Sequence, residues 1–272
     1  MAADDAYEWL SATDVAGVTD RFRADGDVAL VTGASRGIGR VTAFELAAVG
    51  ADVALASRSG DDLRAVADEL EDAFDARALP IETDVADDEA VRETVSKTVS
   101  ELGGLDILVN NAGASFVSPT EEISPNGWDT VVEINLKGTY LCSTAALPHL
   151  EGGGRIVNFS SIAGQYGSKT MSHYGAAKAG VENLTRSLAN EWADRNVRVN
   201  CIAPGLVLTP GAAGVMGVNS ETAHDRSQVA RPMGGADEVA DLVVFLATPA
   251  SSYLTGETIV IEGPPSVSEG LE

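Results

Sequence analysis

Short apolar runs and longer amphipathic segments alternate along most of this chain, and that alternation restricts the fold more than any other feature. The apolar runs have the length of strands and predict seven of them, over 28–32, 52–57, 76–83, 105–111, 154–160, 197–203 and 257–263. The segments between them predict helices over about 37–49, 61–74, 87–102, 125–150, 173–194 and 237–247. Strands joined by helical crossovers run parallel, and the helices cover both faces of the sheet. The pattern therefore predicts a single α/β domain, with a doubly wound, seven-stranded parallel sheet whose strands are buried on both faces.

The charge of the chain excludes some classes of partner. The formal net charge is −23, and the acidic residues are spread along the sequence rather than gathered in a tail. Nucleic-acid binding needs a basic surface, so we expect no nucleic-acid partner. No run approaches the roughly 18 to 20 apolar residues that span a bilayer, so we expect no membrane association. The acidic N-terminus lacks the features of a signal peptide, which predicts a cytoplasmic protein with Cys142 and Cys201 as reduced, buried thiols.

The same charge bears on the environment of the protein. A compact fold with this much negative charge repels itself unless salt screens the repulsion, and the Debye length falls to about 3 Å in molar salt. Four lysines against fourteen arginines, together with many acids and abundant alanine and valine, resemble the composition of proteins from salt-loving archaea. We therefore hypothesise a halophilic protein, with an acidic mesophilic protein as the alternative.

A glycine-rich turn, TGASRGIG (32–39), connects the first predicted strand to the first predicted helix. Gly33 permits a tight turn out of the strand, Gly37 lets the backbone approach a pyrophosphate, and Gly39 lets the helix lie close to the sheet. The N-terminus of that helix offers unpaired N–H groups to a phosphate. The turn therefore predicts a dinucleotide-binding site, although a purely structural turn would also use glycine. The other turn residues assigned to this site are Ser35, Arg36 and Ile38.

Two further motifs follow the turn, which has the spacing G-x-x-x-G-x-G. NNAG occupies 110–113, and Tyr174 and Lys178 stand in the spacing Y-x-x-x-K. With all three motifs in this order, residues 27 to 263 resemble the short-chain dehydrogenase/reductase family. The resemblance implies a Rossmann-type fold, a nicotinamide cofactor, a small-molecule carbonyl substrate, no metal, and a homodimer or homotetramer.

The end of the second predicted strand bears on which nicotinamide cofactor is used. Folds of this type that prefer NAD usually place an acid there to hold the ribose hydroxyls. Here the position is Ser57, and Arg58 follows it, with Arg36 in the glycine turn as a second cation. A guanidinium can grip a 2′-phosphate at two points. We therefore predict NADP, with NAD as the alternative; both arginines would otherwise be ordinary surface residues.

The resemblance assigns further segments to the cofactor. Asp84 and Val85 would contact the adenine, although Asp84 could instead cap the following helix. The segment after the fourth strand would lie against the adenosine ribose, and Asn110 is a weaker candidate there than its neighbours. The residues assigned from that segment are Asn111, Ala112 and Gly113.

The stretch PGLVLT (204–209) resembles the family segment that packs the nicotinamide carboxamide, through the backbone of Val207 and the hydroxyl of Thr209. Pro204 and Gly205 belong to the same assignment, although proline and glycine also end strands for structural reasons alone. Residues 206–232 are predicted to form a mobile substrate lid. Residues 1–26 are predicted to be a leader, weakly amphipathic around Trp9 and Phe22, and 264–272 a tail. The prolines at 264 and 265 are predicted to end strand pairing.

Tyr174 and Lys178 point to general acid–base chemistry. A free phenol has a pKa near 10 and is a poor acid or base at neutral pH. Residues four apart share one face of a helix, so the Lys178 ammonium can reach toward Tyr174 or the cofactor ribose and lower the pKa of the phenol. Both residues are therefore assigned to catalysis and to cofactor binding.

Two polar residues complete the catalytic set that the resemblance implies. Ser161 lies thirteen residues before Tyr174, at the family's spacing for the serine that hydrogen-bonds the substrate carbonyl; Ser160 is the competing candidate. Asn135, in INLKG (134–138), matches the asparagine that anchors a water linking Lys178 to solvent.

Three functions remain open at this stage. Reduction of a 3-oxoacyl thioester is favoured, and oxidation of a sugar, polyol or secondary alcohol is the alternative. A non-catalytic cofactor sensor on the same fold is a third hypothesis. Arg226 and Arg231 could contribute to a basic site for an acyl carrier, or could be surface charges.

Overall fold

The computed structural model describes residues 17–209, 226–231 and 233–264. Its strands are β1 (Val28–Thr32), β2 (Asp52–Ser57), β3 (Ala78–Glu82), β4 (Ile107–Asn110), β5 (Arg155–Phe159), β6 (Arg198–Pro204), β7 (Val207–Leu208), β8 (Gly234–Gly235) and β9 (Thr258–Ile261). Its helices are α1 (Gly37–Ala48), α2 (Gly60–Ala73), α3 (Asp88–Leu102), α4 (Pro125–Val132), α5 (Gly138–Leu150), α6 (Ile162–Tyr166), α7 (Ser172–Trp192) and α8 (Ala236–Ala247). Short 3₁₀ turns occupy Thr19–Phe22, Thr120–Glu122, Ala193–Arg195 and Pro249–Ser251.

Seven of these strands form one parallel sheet in the order β3-β2-β1-β4-β5-β6-β9. The chain runs outward from β1 to β3, then returns to the other side of β1 to begin the second half at β4. In sheets of this kind, ligands bind outside the carboxyl ends of the strands where the order reverses. The fold confirms the predicted single-domain, doubly wound α/β class and places the glycine turn at that crevice.

Two apolar cores cover the faces of the sheet. One packs α1, α2 and α8 against one face, through residues such as Leu46, Leu63 and Val243. The other packs α3, α5 and α7 against the opposite face, through residues such as Val95 and Leu188. All residues of β1 and β4 are buried, as predicted, but β3 and β9 are mostly half-buried. The prediction of two-sided burial was therefore wrong for these two strands, because an edge strand has a neighbour on one side only.

The long helix predicted over 125–150 is not continuous. A π-helical turn over Glu133–Lys137 separates α4 from α5, and Asn135 lies at its centre. A π turn widens a helix by one residue and occurs frequently at functional sites. The short helix α6 and the two-residue pair of β7 with β8 were not predicted from the sequence either.

The two ends of the described domain differ from the predicted leader over 1–26 and from the predicted end of the last strand. Trp9 lies outside the described residues, but Ala24 is buried in the core and its N–H donates to the carbonyl of Val49. At the other end, β9 stops at Ile261, and Gly263, with φ of +79°, turns the chain before the prolines are reached. Most of the predicted lid, 210–225 and residue 232, also lies outside the described residues.

Candidate active site

A cavity of about 390 Å³ opens at the carboxyl end of the sheet, where the chain leaves β1, β4, β5 and β6. It is lined by Ile38, Asn111, Gly113, Ala114, Ser115, Phe159, Ser160, Ser161, Tyr174, Lys178, Pro204, Gly205, Val207 and Thr209. Three of the four predicted catalytic residues therefore meet in one cavity with the segment assigned to the nicotinamide. Ala114, Ser115 and Phe159 were not predicted; each lies next to a predicted motif in sequence, and that adjacency was the available signal.

Close packing of α6 against α7 brings Ser161 to Tyr174. A Cβ at Gly164 of α6 would lie 2.8 Å from the backbone N of Ala179, and a Cβ at Gly175 of α7 would lie 2.8 Å from the carbonyl oxygen of Ala163. Such distances leave room for glycine alone, so the two helices touch backbone to backbone. Their approach places the serine that precedes α6 beside the tyrosine in the first turn of α7.

The Tyr174 hydroxyl responds to two opposing influences. Burial raises the pKa of this phenol above its usual value, and a hydrogen bond with Ser161 lowers it. Burial has the larger effect, so the pKa is shifted in the opposite direction to that expected from Lys178. The Lys178 ammonium lies 5.6 Å from the centroid of the Tyr174 ring.

Lys178 is buried on the same face of α7 as the tyrosine. Its Nζ donates to the carbonyl oxygen of Phe159 at 2.7 Å, at the end of β5. Burial lowers the pKa of this amine to about 8. An ammonium has three donors, so this anchor leaves donors for a ribose hydroxyl or a water.

The two candidate serines differ in their partners. Ser161 caps α6, with its Oγ accepting from the N–H of Ala163 at 3.2 Å, and remains on the cavity wall. Ser160 is buried, and its hydroxyl, which has one proton to donate, lies 2.7 Å from the Glu182 carboxylate and 3.0 Å from the carbonyl oxygen of Lys178. Because its hydroxyl is committed to this contact with Glu182, Ser160 is the weaker candidate.

Asn135 lies in the π turn with only part of its amide satisfied. Its Nδ2 donates to the carbonyls of Ala114 at 2.7 Å and Val131 at 2.8 Å. Its Oδ1 is buried and has no hydrogen-bond partner in the described part of the chain. A Cβ at Gly113 would lie 2.8 Å from this oxygen and 3.6 Å from Nζ of Lys178. The amide oxygen of Asn135 and the ammonium of Lys178 therefore lie near the same glycine. This position suits Asn135 Oδ1 as the acceptor for a water that bridges to Lys178.

The glycine turn has the backbone that the sequence predicts. Gly33 and Gly37 have φ of +68° and +58°, a region that favours glycine. A Cβ at Gly39 would lie 2.4 Å from the carbonyl oxygen of Gly33, so α1 contacts the turn directly.

The start of α1 is also suited to a phosphate. No side chain caps it at Arg36, whereas Asp87 and Ser124 cap α3 and α4. The first N–H groups of α1 thus donate no hydrogen bond to a capping side chain. The donors and the close backbone approach fit a pyrophosphate.

Asn111 and Asn110 both brace the sheet. The Asn111 amide donates to the carbonyls of Thr32 and Gly33 at 2.9 and 3.2 Å, and holds the glycine turn against β4. The Asn110 amide donates to Ser143 and Asn158 inside the core. Ala112 donates through its N–H to the Thr32 hydroxyl. Asn111 and Gly113 also line the cavity, so bracing and ligand contact are compatible at this segment.

The segment assigned to the nicotinamide follows β6 along the cavity. Gly205 donates from its N–H to the carbonyl of Ile261 at 2.9 Å, and Val207 pairs with Gly234. A Cβ at Gly37 would lie 3.5 Å from the Thr209 methyl carbon. Thr209 therefore lies over the glycine turn and closes the cavity on that side.

The residues assigned to the outer half of the cofactor lie beyond the cavity. Arg36 and Arg58 are exposed, and neither forms an ion pair within the described ranges. The hydroxyl of Ser57 accepts from the N–H of Ser59 at 3.2 Å. Arg36 lies in the turn after β1 and Arg58 follows β2, so both come after the carboxyl ends of two paired strands, where the sequence predicts the 2′-phosphate.

The alternative role of Asp84 as a helix cap is wrong. The cap of α3 is Asp87, which accepts from the N–H groups of Glu89 and Ala90. Asp84 instead accepts from the N–H of Ala86 at 3.0 Å. Its neighbour Val85 is buried, and a Cβ at Gly138 would lie 2.9 Å from it.

Both cysteines are buried and free, as predicted, and burial raises the pKa of Cys142 and of Cys201 to about 12. Within the described ranges, no group of three or more His, Cys, Asp or Glu side chains could hold a metal ion. No helix among the described residues is both long and apolar enough to cross a membrane.

A doubly wound sheet with an uncapped glycine turn at its reversal point defines a dinucleotide-binding protein, and a tyrosine, a lysine and a serine on the adjoining cavity give it the groups for proton transfer. The chain is therefore a nicotinamide-dependent oxidoreductase that acts on an alcohol or carbonyl group. A sequence profile described as enoyl-(acyl carrier protein) reductase matches residues 33–263. The chain belongs to the short-chain dehydrogenase/reductase family.

Known relatives agree with this assignment. The chain is 37% identical over 244 residues to a 3-oxoacyl-[acyl-carrier-protein] reductase of Thermotoga maritima, covering 89% of this chain and 98% of the relative. It is 42% identical over 241 residues to a cis-4-hydroxycyclohexanecarboxylate dehydrogenase of Sinomonas cyclohexanicum, covering 87% and 95%. A crystal structure of a short-chain type dehydrogenase/reductase from Mycobacterium marinum matches with a TM-score of 0.82 at 36% identity, covering 90% of this chain and 98% of that one.

Proposed function

We propose that this protein is an NADP(H)-dependent reductase of a 3-oxoacyl thioester. The observation that carries the proposal is the convergence of Ser161, Tyr174 and Lys178 on one cavity beside the uncapped glycine turn. Relatives named as 3-oxoacyl-[acyl-carrier-protein] reductases, 37% identical over nearly their whole length, favour this substrate class.

The bound nicotinamide would supply or accept the hydride at the carbonyl carbon. Ser161 would donate a hydrogen bond to the substrate oxygen, and Tyr174 would give that oxygen a proton during reduction, or remove it in the reverse direction. Lys178, anchored on the Phe159 carbonyl, would hold the ribose and carry positive charge next to the phenol. The unsatisfied Oδ1 of Asn135 would hold the water that passes protons to Lys178.

The remaining cofactor contacts follow the assigned segments. Gly33, Gly37 and Gly39 would cradle the pyrophosphate together with Ser35, Arg36 and Ile38. Adenosine would contact Ser57, Arg58, Asp84, Val85, Asn111, Ala112 and Gly113. The carboxamide would contact Pro204, Gly205, Val207 and Thr209. Of these contacts, the two exposed arginines decide the preference for NADP.

A second substrate class is supported by a separate observation. The relative named as a cis-4-hydroxycyclohexanecarboxylate dehydrogenase is 42% identical, so a cyclic secondary alcohol or ketone is the alternative substrate. Arg226 and Arg231, which could have offered a basic site to an acyl carrier, form ion pairs with Asp241 and Glu238 of α8. Their pairing favours a substrate that arrives free or on a small thiol.

We also propose a cytoplasmic, salt-adapted homodimer or homotetramer in which residues 206–232 act as the substrate lid. The domain would extend over 27–263, with 1–26 as a leader and 264–272 as a tail.

Turnover tests the catalytic assignment. Oxidation of NADPH would be followed with 3-oxoacyl thioesters, cyclic ketones and sugars as substrates, for the wild type and for Tyr174→Phe. Removal of a general acid costs about 10²- to 10⁴-fold, so the variant should lose that much kcat while its affinity for NADPH, measured by fluorescence titration, stays within about twofold. Retained turnover would refute the assignment, and silence of the wild type on every substrate would favour a cofactor sensor.

Cofactor preference tests the two exposed arginines. Arg58→Ala should raise the KM for NADPH about tenfold or more, because a charge-assisted contact to the 2′-phosphate is lost, and should leave the KM for NADH unchanged. Arg36→Ala should raise the KM for NADPH more than the KM for NADH, because Arg36 is also assigned to the pyrophosphate that both cofactors share. Arg186→Ala, at another exposed arginine on α7, is the matched control. A wild type that prefers NADH would contradict the proposal.

A further inference from the structure

Four exposed apolar side chains, which we call the rim, lie in the segments that also supply lining residues of the cavity. Phe116 and Val117 follow β4, Tyr166 ends α6, and Leu206 follows β6. All four belong to segments beyond the carboxyl ends of the strands, where substrate must enter. Exposed apolar groups gathered at one place commonly mark a binding site. The following inference rests on the proposed function and concerns how its substrate is selected.

The charges inside the cavity narrow the class of substrate. Among the described residues that line it, Lys178 is the only charged one, and its Nζ is anchored on the Phe159 carbonyl. The described lining therefore offers no further cation to a carboxylate or phosphate on the substrate. Because the chain as a whole carries a charge of −23, an anionic substrate is also repelled at long range. The described cavity and its rim favour an uncharged, apolar substrate body.

The fold holds the Phe116 ring of this rim in place through an aromatic contact. Its ring packs on the imidazole of His173, with the centroids 4.3 Å apart and the planes at 54°. His173 immediately precedes Tyr174 in α7, so the residue that fixes Phe116 is next to the proposed acid. Phe116 itself follows the cavity-lining Ala114 and Ser115. The stack thus joins the segment after β4 to the catalytic turn of α7.

The Phe116 ring also lies close to Gly127. A Cβ at Gly127, in the first turn of α4, would lie 3.1 Å from Cζ of Phe116. Glycine is less favourable than alanine in a helix, and the space that Gly127 leaves to the ring is a reason for its presence in α4. His173 and Gly127 therefore clamp Phe116, which still exposes 41% of its surface.

The chemistry of His173 is unusual for a histidine beside a catalytic site. The side chain is fully buried, and both ring nitrogens lack a hydrogen-bond partner in the part of the chain that the structure describes. Buried polar atoms without partners are destabilising, so hydrogen bonding does not explain why a ring lies here. What the ring does in this structure is support Phe116.

We propose that Phe116 is a specificity-determining residue of the substrate site, and that His173 is a positioning residue that acts through it. The exposed part of the Phe116 ring forms an apolar wall next to the reacting carbonyl. It selects carbonyl substrates with an apolar body, either a medium acyl chain or an aliphatic ring, over the smallest members of the same class.

Two pairs of substrates with the same reactive group test the wall. The first pair is the acetoacetyl and 3-oxooctanoyl thioesters of N-acetylcysteamine, and the second is acetone and cyclohexanone. Phe116→Ala should lower kcat/KM for the larger member of the pair about 10- to 100-fold, mainly through KM, with little change for the smaller member. Tyr253→Ala, at an exposed aromatic residue that precedes β9, is the matched control and should leave the ratio unchanged. Equal losses on both members would overturn the proposal.

Variants of His173 distinguish two roles for this residue: packing that supports the Phe116 ring, and proton transfer by its ring nitrogens. His173→Ala removes the support and should reproduce the loss of discrimination seen for Phe116→Ala. His173→Phe restores an aromatic partner without ring nitrogens, and should keep the ratio between the two substrates. If His173→Phe instead behaves like His173→Ala, the nitrogens matter and the positioning role is refuted.

Two further measurements distinguish a failure of this proposal from a variant that does not fold and from a failure of the proposed function. Gly127→Ala should shift the ratio of kcat/KM between the two substrates in the same direction as Phe116→Ala, and it leaves the catalytic turn of α7 unchanged. This variant replaces His173→Ala if His173→Ala fails to fold. An unchanged ratio in folded Gly127→Ala would contradict the role of His173 and Gly127 as a clamp. A wild type that reduces none of the four carbonyls would refute the proposed function itself. A wild type that turns over both members of a pair equally well would refute the specificity role alone.

Discussion

At the residue scale, Lys178 shows why the chain keeps a lysine where it otherwise uses arginine. The sequence has four lysines against fourteen arginines, and this one is buried with its Nζ on the Phe159 carbonyl. Its pKa, lowered by burial to about 8, is accessible near neutral pH. A guanidinium stays charged at any working pH and needs room for a planar fork. Lysine is thus the cation whose size and proton affinity suit this site.

The lowered pKa of Lys178 predicts a pH dependence of stability. Between pH 8 and about pH 10.5 the folded protein holds this amine neutral while the unfolded chain still protonates it. The unfolded state then binds more protons, so stability rises with pH across this window, and the desolvation penalty is present in full below it. In denaturant unfolding of the cofactor-free protein, the free energy of unfolding of the wild type should therefore increase relative to that of Lys178→Met between pH 8 and 10.

The exposed Lys97 on α3 provides the control for that measurement. The difference between the wild type and Lys97→Met should be flat over the same pH range. A flat difference for Lys178→Met as well would show that the amine is not desolvated in the folded protein.

At the element scale, the contact between α1 and α8 carries concentrated negative charge. Glu45 of α1 is half-buried, and burial, followed by the nearby Asp241 and Asp237 of α8, raises its pKa to about 7. Arg226, at the end of the predicted lid, forms an ion pair with Asp241 and opposes this shift. The same cluster therefore joins two helices that pack on the sheet to the segment that would cover the substrate.

Glu45→Gln tests this helix contact. A raised carboxyl pKa means that the folded state holds more protons than the unfolded one between about pH 4.5 and 7, so stability falls as pH rises through that window. The amide is always neutral, so the variant should melt above the wild type at pH 8, and the gain should disappear below about pH 4.5. Glu93→Gln, on the exposed face of α3, should show no such trend in thermal melts. An equal gain at pH 5 and pH 8 would contradict the assigned cause.

At the scale of the whole molecule, the net charge of −23 sets the response to salt. The described ion pairs are mostly exposed, and exposed pairs contribute little to the free energy of unfolding. They do not offset repulsion among unpaired acids spread over the surface. Screening of that repulsion should therefore outweigh the loss of ion pairs as salt increases.

Melting temperature across a KCl series tests this balance. Between about 0.1 M and 1 M KCl the Debye length falls from about 10 Å to about 3 Å, and Tm should rise steadily over that range. A series in sucrose, which adds no charge, separates screening from exclusion of solute from the protein surface. A Tm that is insensitive to KCl would remove the support for salt adaptation.

Most of the fold could be predicted because its signals are local and redundant. Apolar runs predicted the first and last residues of β1 and β2 correctly, and the glycines that have positive φ marked the turn into α1. The interruption of the helix at Glu133–Lys137 could not be predicted, because no proline or glycine marks it inside the π turn. The limits of β9 also differed, since Gly263 turns the chain before Pro264.

The sequence by itself determined the sheet, the glycine turn and the pairing of Tyr174 with Lys178, because each depends on spacing within one segment. Only the tertiary structure decided what spacing leaves open. It gave the two candidate serines different partners, with Ser160 in contact with Glu182, and it placed the Asn111 amide on the carbonyl of Thr32. It also placed Phe116 on His173, residues 57 positions apart in the chain. Side chains find such partners through the packing of separate elements, and one sequence does not state which elements meet.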